Sequence, residues 1–165
     1  MTRLVEIGSR ASAALKAAGQ TVAVAESSAG GVISASLLAV PGASAYFKGG
    51  GVVYTGDSKK TLMAIADEAL AEARAATETH ALHLARSARQ RLGADWGIGE
   101  TGAAGPTGNR YGDAPGHTCI GVSGPVEMAI TLETGNQERA ANMEAFATAA
   151  IDLLARCIDR SEKLL

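Results

Sequence analysis

The chain has 165 residues, with 15 lysines and arginines against 17 aspartates and glutamates, a formal charge of −2. That length suits one well-buried core and is too short for two ordinary domains, so residues 1–165 read as a single domain. The near balance of charge gives no electrostatic footprint for nucleic acid, no basic run suggests a membrane surface, and the two cysteines provide neither a disulfide framework nor a Cys/His spacing for zinc.

Residues 2–18 read as an amphipathic helix, with Leu4, Ile7, Ala11, Ala14, Leu15 and Ala18 on one face and Gly19 closing it. Arg3, Glu6, Arg10 and Lys16 interrupt this segment, which argues against a signal peptide or membrane span; the expected location is cytoplasmic. Residues 22–25 form an apolar strand that breaks at Glu26-Ser27-Ser28-Ala29-Gly30-Gly31 into a helix over 30–39. Such a turn presents a hydroxyl and several backbone N–H groups at one point, the parts needed to attack an amide or ester and to hold the resulting oxyanion. Serine followed by glycine also occurs in plain turns, so a second element has to arrive from elsewhere.

Pro41-Gly42 ends that helix, residues 50–55 read as the second strand with Tyr54 near its end, and a short helix over 57–64 carries Lys59 and Lys60. A serine hydroxyl is a poor nucleophile until a base removes its proton. With three histidines in the chain, a lysine whose pKa falls on burial is a candidate base. The other reading of both lysines is a solvated helix start.

A longer helix over 77–92 turns Ala81, Leu84, Ala85 and Ala88 inward; His80 and His83 on it are spaced for a metal but lack Cys or acidic partners. Residues 96–100 read as a strand feeding the run from Gly99 to Gly108. Its glycines let backbone approach a ligand, and consecutive N–H groups there can form an anion-binding concavity. The spacing fits neither the dinucleotide fingerprint nor the P-loop. Strands over 117–123 and 126–133, joined by Gly124-Pro125, precede a final helix over 137–160. Helices alternating with strands, then a strand pair with no helix between, predict a three-layer α/β/α sandwich on a mixed, mostly parallel sheet.

Together the three glycine-bearing segments resemble the C-terminal domain of the CinA family, whose stand-alone members are nicotinamide-nucleotide amidohydrolases (nicotinamide mononucleotide deamidases). The family pattern runs Ala-Glu-Ser-Cys-Thr-Gly-Gly, then Pro-Gly-Ala-Ser-x-x-Phe-x-Gly-Gly-x-Val-x-Tyr with a lysine five residues later, then Thr-Gly-x-Ala-Gly-Pro. Here it stands as Ala25 to Gly31, Pro41 to Tyr54 with Lys59, and Thr101 to Pro106, and the resemblance covers nearly the whole chain.

The resemblance implies Ser27 as nucleophile, Lys59 as its general base, and Tyr54 as a group that orients or relays the proton; Lys60 lies one position off the pattern. Around the serine it implies a substrate-binding set of Glu26, Ser28, Ala29, Gly30 and Gly31, with the backbone N–H groups of 28–30 as the candidate oxyanion hole. Thr101, Gly102, Ala104 and Gly105 are expected to hold the ligand, a small nucleotide, with no metal or other cofactor, in a homo-oligomer. Glu26 has a second reading, as a strand-end carboxylate bonding the turn.

Departures from the pattern are as informative. Ser28-Ala29 replaces Cys-Thr, and Glu100 stands where a small or apolar residue is usual, so a carboxylate pointing into the pocket would repel a phosphate. Gln137 falls in a segment that lacks the family's Gly-Asp-Arg, and Arg110 and Arg139 are candidates for replacement positive charge. Three alternatives remain open from the sequence: a Ser27/His117 pair oriented by Glu26 or Glu100, hydrolysis of a different amide or ester, and a relative that binds nucleotide without turnover.

Overall fold

The computed structural model describes residues 2–165. Thr2 caps the first helix, α1 (Arg3–Ala18), by accepting from the Val5 N–H, and Gly19 closes it in the left-handed conformation. The wholly buried β1 (Val22–Glu26) follows, an apolar run of the kind a strand covered on both faces requires. Then come α2 (Val32–Ala39), a single 3-10 turn (Ala43–Ala45), β2 (Phe47–Val52), α3 (Gly56–Met63), α4 (Asp67–Glu72) and α5 (Glu78–Leu92). The chain continues through β3 (Trp96–Ala103), β4 (His117–Ser123), β5 (Met128–Glu133) and α6 (Arg139–Lys163).

The sheet order is β2-β1-β3-β4-β5. β1 pairs in parallel with both β2 and β3, and β3, β4 and β5 run antiparallel in turn. Helices α1, α2 and α6 cover one face, where Ile7, Leu15, Ile33, Leu37, Phe146, Ile151 and Leu154 pack on Val22, Val24, Ile98 and Ile120. The other face is thinner: α5, with α3 and α4 beside it, lies on Ala23, Ala25 and Val53. The expected α/β/α sandwich with a mixed sheet is therefore the fold.

Three differences from the sequence reading have local causes. β2 begins at Phe47 rather than 50, because Gly49, Gly50 and Gly51 carry almost no strand propensity of their own and are held by pairing to β1. β3 continues to Ala103, so Thr101 and Gly102 are strand residues paired to β4 and not loop. Helix α4 was not expected, since its six residues bury no side chain and show no apolar period; Asp67 and Glu68 in its first turn favour it electrostatically.

The connection β1–α2–β2 passes over one face of the sheet, and the connection from β2 through α5 to β3 passes over the other. β1 thus lies at the point where the strand order reverses. In open parallel sheets the crevice beyond the carboxyl ends of the strands at that point is where ligands bind.

Candidate active site

The register sets Glu26 beside Val52 of β2 on one side and Glu100 of β3 on the other. The Val53 N–H donates to the Glu26 carbonyl at 2.7 Å, and the Ser27 N–H donates to the Glu100 carbonyl at 3.1 Å. Ser27 and Val53-Tyr54 therefore leave two adjacent strands at the carboxyl end of the sheet, beside β3, which runs on through Thr101 to Ala103. Ser27 is 6% exposed, and its hydroxyl has no hydrogen-bond partner among the described residues.

Two fully buried carboxylates shape the turn around it. Glu26 accepts from the N–H groups of Gly31, Ile33 and Ser34 and from the Ser34 hydroxyl, at 2.8 to 3.0 Å. It caps α2 from across the turn, the second of the two roles read for it. Glu100 accepts through Oε1 from the N–H groups of Ser27 and Ala29, at 3.1 and 2.8 Å. Through Oε2 it accepts from the hydroxyls of Ser28 and Thr118, at 2.5 and 2.7 Å. Burial raises its pKa, and these four bonds offset only part of that rise. It points at the serine turn and not into a pocket, so the repulsion of a phosphate considered for it does not arise. Two of the departures from the family pattern, Ser28 and Glu100, are bonded to each other.

That arrangement corrects the expected oxyanion hole. The Ala29 N–H is spent on Glu100, the Gly30 N–H on the Ser27 carbonyl at 3.0 Å, and the Gly31 N–H on Glu26. Of the three groups nominated, only the Ser28 N–H is without an acceptor among the described residues.

Lys59 stands on α3, whose start is fixed by a reciprocal cap between Thr55 and Ser58. Lys60 is an exposed helix residue paired with Asp67 at 2.7 Å, whereas Lys59 is buried, 5% exposed. Burial pushes the Lys59 amine below the usual lysine range, opposed by the Glu100 carboxylate. Lys59 shares a cavity of about 400 Å³ with Tyr54, Arg74, His80, Arg110 and Tyr111. A second cavity, of about 230 Å³, is lined by Tyr54, Asn109, Arg139 and the backbone of 102–105. Tyr54, 59% exposed, belongs to both. Arg139 donates to the Gly105 carbonyl and, at 3.4 Å, to the Tyr54 hydroxyl. Neither cavity is lined by an aspartate or glutamate, and both hold guanidinium groups.

Of the residues expected to hold the ligand, Gly102, Ala104 and Gly105 line the second cavity. Thr101 does not: it is 1% exposed, and its hydroxyl accepts from the Ala76 N–H at 2.9 Å. His117 is likewise removed from the serine. Its Nε2 meets the Ala76 carbonyl at 2.9 Å and its Nδ1 meets Glu133, and since both partners accept, both nitrogens donate. Burial alone would lower its pKa, but those bonds and the charges of Asp113 and Glu133 outweigh it and raise it. A ring so occupied cannot serve Ser27 as a base, and the Ser27/His117 alternative falls.

His80, weighed in the sequence only as half of a metal pair with His83, lines the larger cavity beside Lys59. It sits four positions before Leu84 on the buried face of α5, a polar side chain where an apolar one is expected, and that mismatch was the available signal. Its Nδ1 meets the Ala73 carbonyl at 3.0 Å. Burial and then the Lys59 charge push its pKa down to about 4. His83 instead pairs with Glu72 at 3.2 Å on the exposed side. Among the described residues no three His, Cys, Asp or Glu side chains converge as a metal site, and no helix is long and apolar enough to cross a membrane.

Residues 5–158 match the family model of the CinA C-terminal domain. A CinA-like protein from Gloeobacter violaceus is 36% identical over 152 residues, covering 91% of this chain and 36% of that protein. One from Salinibacter ruber is 35% identical over 139 residues, covering 84% of this chain and 34% of that one. The chain spans about a third of the length of these curated relatives. Among solved structures, a competence/damage inducible protein from Agrobacterium tumefaciens superposes with a TM-score of 0.86 at 25% identity, over 96% of this chain and 97% of that one. A CinA superfamily protein from Klebsiella pneumoniae gives 0.88 at 23% identity, over 97% and 99%.

Proposed function

This chain belongs to the CinA C-terminal domain family, and from that membership and the geometry of its serine turn we propose an amidohydrolase that converts nicotinamide mononucleotide to nicotinate mononucleotide and ammonia. The observation that carries the reading is that two complementary groups lie next to one buried carboxylate, Glu100. An unbonded serine hydroxyl stands at the end of β1, and a buried lysine with a lowered pKa shares its neighbour Glu100. A neutral lysine amine is a base, and burial is how a protein obtains one near neutral pH.

In this scheme Lys59 takes the Ser27 proton as Oγ bonds to the carboxamide carbon. The Ser28 N–H faces the oxyanion, and the Glu100 carboxylate balances the ammonium formed on Lys59. The carbon–nitrogen bond breaks as Lys59 returns its proton to the departing nitrogen, which leaves as ammonia. Lys59 then takes a proton from water, the resulting hydroxide adds to the acyl carbon, and the carboxylic acid departs as Ser27 recovers its proton. Tyr54, beside Lys59 and bonded to Arg139, orients the amine or relays the proton. The cationic, acid-free walls of the two cavities suit the substrate's phosphate.

The test is ammonia release from nicotinamide mononucleotide by the purified protein and by its Ser27→Ala and Lys59→Ala variants. Turnover is expected from the unaltered protein, falling at least about 1,000-fold in each variant. A folded protein that releases no ammonia, or a Ser27→Ala variant that retains it, overturns the proposal.

A further inference from the structure

The direction of the Ser28 N–H, the free donor of the serine turn, is set by the peptide unit it belongs to. That unit is trans, and a trans peptide points its carbonyl and its N–H opposite ways. Its carbonyl, on Ser27, accepts from the Gly30 N–H at 3.0 Å inside the turn, so the Ser28 N–H points out of the turn. Glu100 is what holds the unit this way. Its Oε1 accepts from the N–H groups on either side, those of Ser27 and Ala29, at 3.1 and 2.8 Å. Its Oε2 accepts from the hydroxyl of Ser28 itself at 2.5 Å.

Glu100 is in turn fixed by the sheet. It pairs with Glu26 of β1 on one side and with Ile120 of β4 on the other, its side chain is fully buried, and Thr118 of β4 donates the fourth bond at 2.7 Å. The serine turn is thereby fastened to the centre of the sheet and not only to the helix it begins.

We propose that Glu100 is a positioning residue for the oxyanion donor: it clamps the peptides around Ser28 so that this one N–H faces the oxyanion formed when Ser27 attacks. The inference rests on the reading of Ser27 as the nucleophile of an amide hydrolysis. A donor preset toward developing charge needs no reorganisation when the charge appears, whereas a loose peptide has first to be turned. Glu100 acts through Ser28 and does not itself meet the reacting atoms.

Two substitutions separate position from charge. In Glu100→Gln the amide oxygen takes the place of Oε1, and the two amide hydrogens face the hydroxyls of Ser28 and Thr118, which accept as readily as they donate; all four partners stay held without the charge. Glu100→Asp keeps the charge and withdraws the carboxylate from the turn by one methylene. In deamidation of nicotinamide mononucleotide, Glu100→Gln is expected to keep kcat within about 10-fold, and Glu100→Asp to lose about 100-fold in kcat with KM changed by less than about 3-fold. An equal fall in both variants, or an unchanged kcat in Glu100→Asp, overturns the positioning role. If Glu100→Asp does not fold, Ser28→Ala cuts one tether and leaves the N–H in place; it is expected to lose about 10-fold in kcat, and an unchanged kcat there overturns the role as well.

The second measurement does not depend on any activity. In ¹⁵N NMR of the protein without substrate, the amide of residue 28 is expected to be rigid and sharp in the unaltered protein and in Glu100→Gln. In Glu100→Asp and Ser28→Ala its order parameter should fall or its signal broaden by exchange. An amide as rigid and sharp in those variants as in the unaltered protein overturns the proposal. If the protein releases no ammonia, the functional reading fails, while the amide measurement still decides whether Glu100 holds this peptide.

Discussion

Glu100 holds the serine turn through four hydrogen bonds from groups that are themselves buried, so each donor lost leaves part of a water-free carboxylate uncompensated. Ser28→Ala removes one of four and is expected to cost about 1.5 to 3 kcal/mol, the usual range for a hydrogen bond to a charged group. Glu100→Ala strands two hydroxyls and two N–H groups together and should cost at least about 3 kcal/mol. Because the residues bond to each other at 2.5 Å, the double variant should cost less than the sum. Urea unfolding of the three variants measures this, and simple additivity would show that the pair is not coupled. The bond itself was not legible in the sequence: Glu100 lies 72 positions from Ser28, and only the register of β1 on β3 brings them together.

At the level of elements, the close seat of α5 on the sheet depends on absent side chains. A Cβ on Gly97 would lie 2.0 Å from the Ala85 carbonyl oxygen, and one on Gly99 would lie 2.1 Å from that of Ala81, both on the helix backbone. Backbone cannot swing aside, so α5 would have to lift from β3. Gly99→Ala is expected to destabilise by about 3 kcal/mol or more, at the upper end of overpacking costs. Gly56, at the start of α3, is the control: a Cβ there meets nothing within 4 Å, and Gly56→Ala should be neutral or stabilise by up to about 1 kcal/mol. Thermal unfolding of the two variants separates them, and equal melting temperatures would refute the packing argument. The sequence shows these glycines as gaps in a strand pattern, which correctly suggests close backbone approach. It does not say which helix approaches.

Across the whole molecule, two buried histidines give stability opposite dependences on pH. His80 is held near 4 in the fold against 6.5 when unfolded, so its contribution is complete above pH 6.5 and is lost as pH falls toward 4. The loss amounts to about 3 kcal/mol at most, and His80→Gln should remove that part of the acid destabilisation. Against its burial, His117 has its pKa raised by its bonds to the Ala76 carbonyl and Glu133 and by the charges of Asp113 and Glu133. Its contribution is complete below pH 6.5 and fades as pH rises through its folded value. Denaturant unfolding of the protein and of His80→Gln and His117→Gln, from pH 4 to 9, is expected to show these opposite slopes. Parallel curves for all three proteins would contradict the assignment.

By itself the sequence determined the layers, the order of the strands and of the longer helices, and the family, and it nominated the serine, tyrosine and lysine that its motifs carry. Those features are written in apolar periods and in turn residues a few positions apart, where each residue's neighbours along the chain are also its neighbours in space. The tertiary structure decided which backbone N–H groups the turn keeps free, that Glu100 grips the serine turn instead of facing a ligand, and that Thr101 points inward. It also decided that His80 and Lys59 share a cavity. Each of these depends on partners far apart in sequence, and hydrogen bonding is directional: a register fixed by the packing of whole elements selects the acceptor, which composition and spacing cannot do.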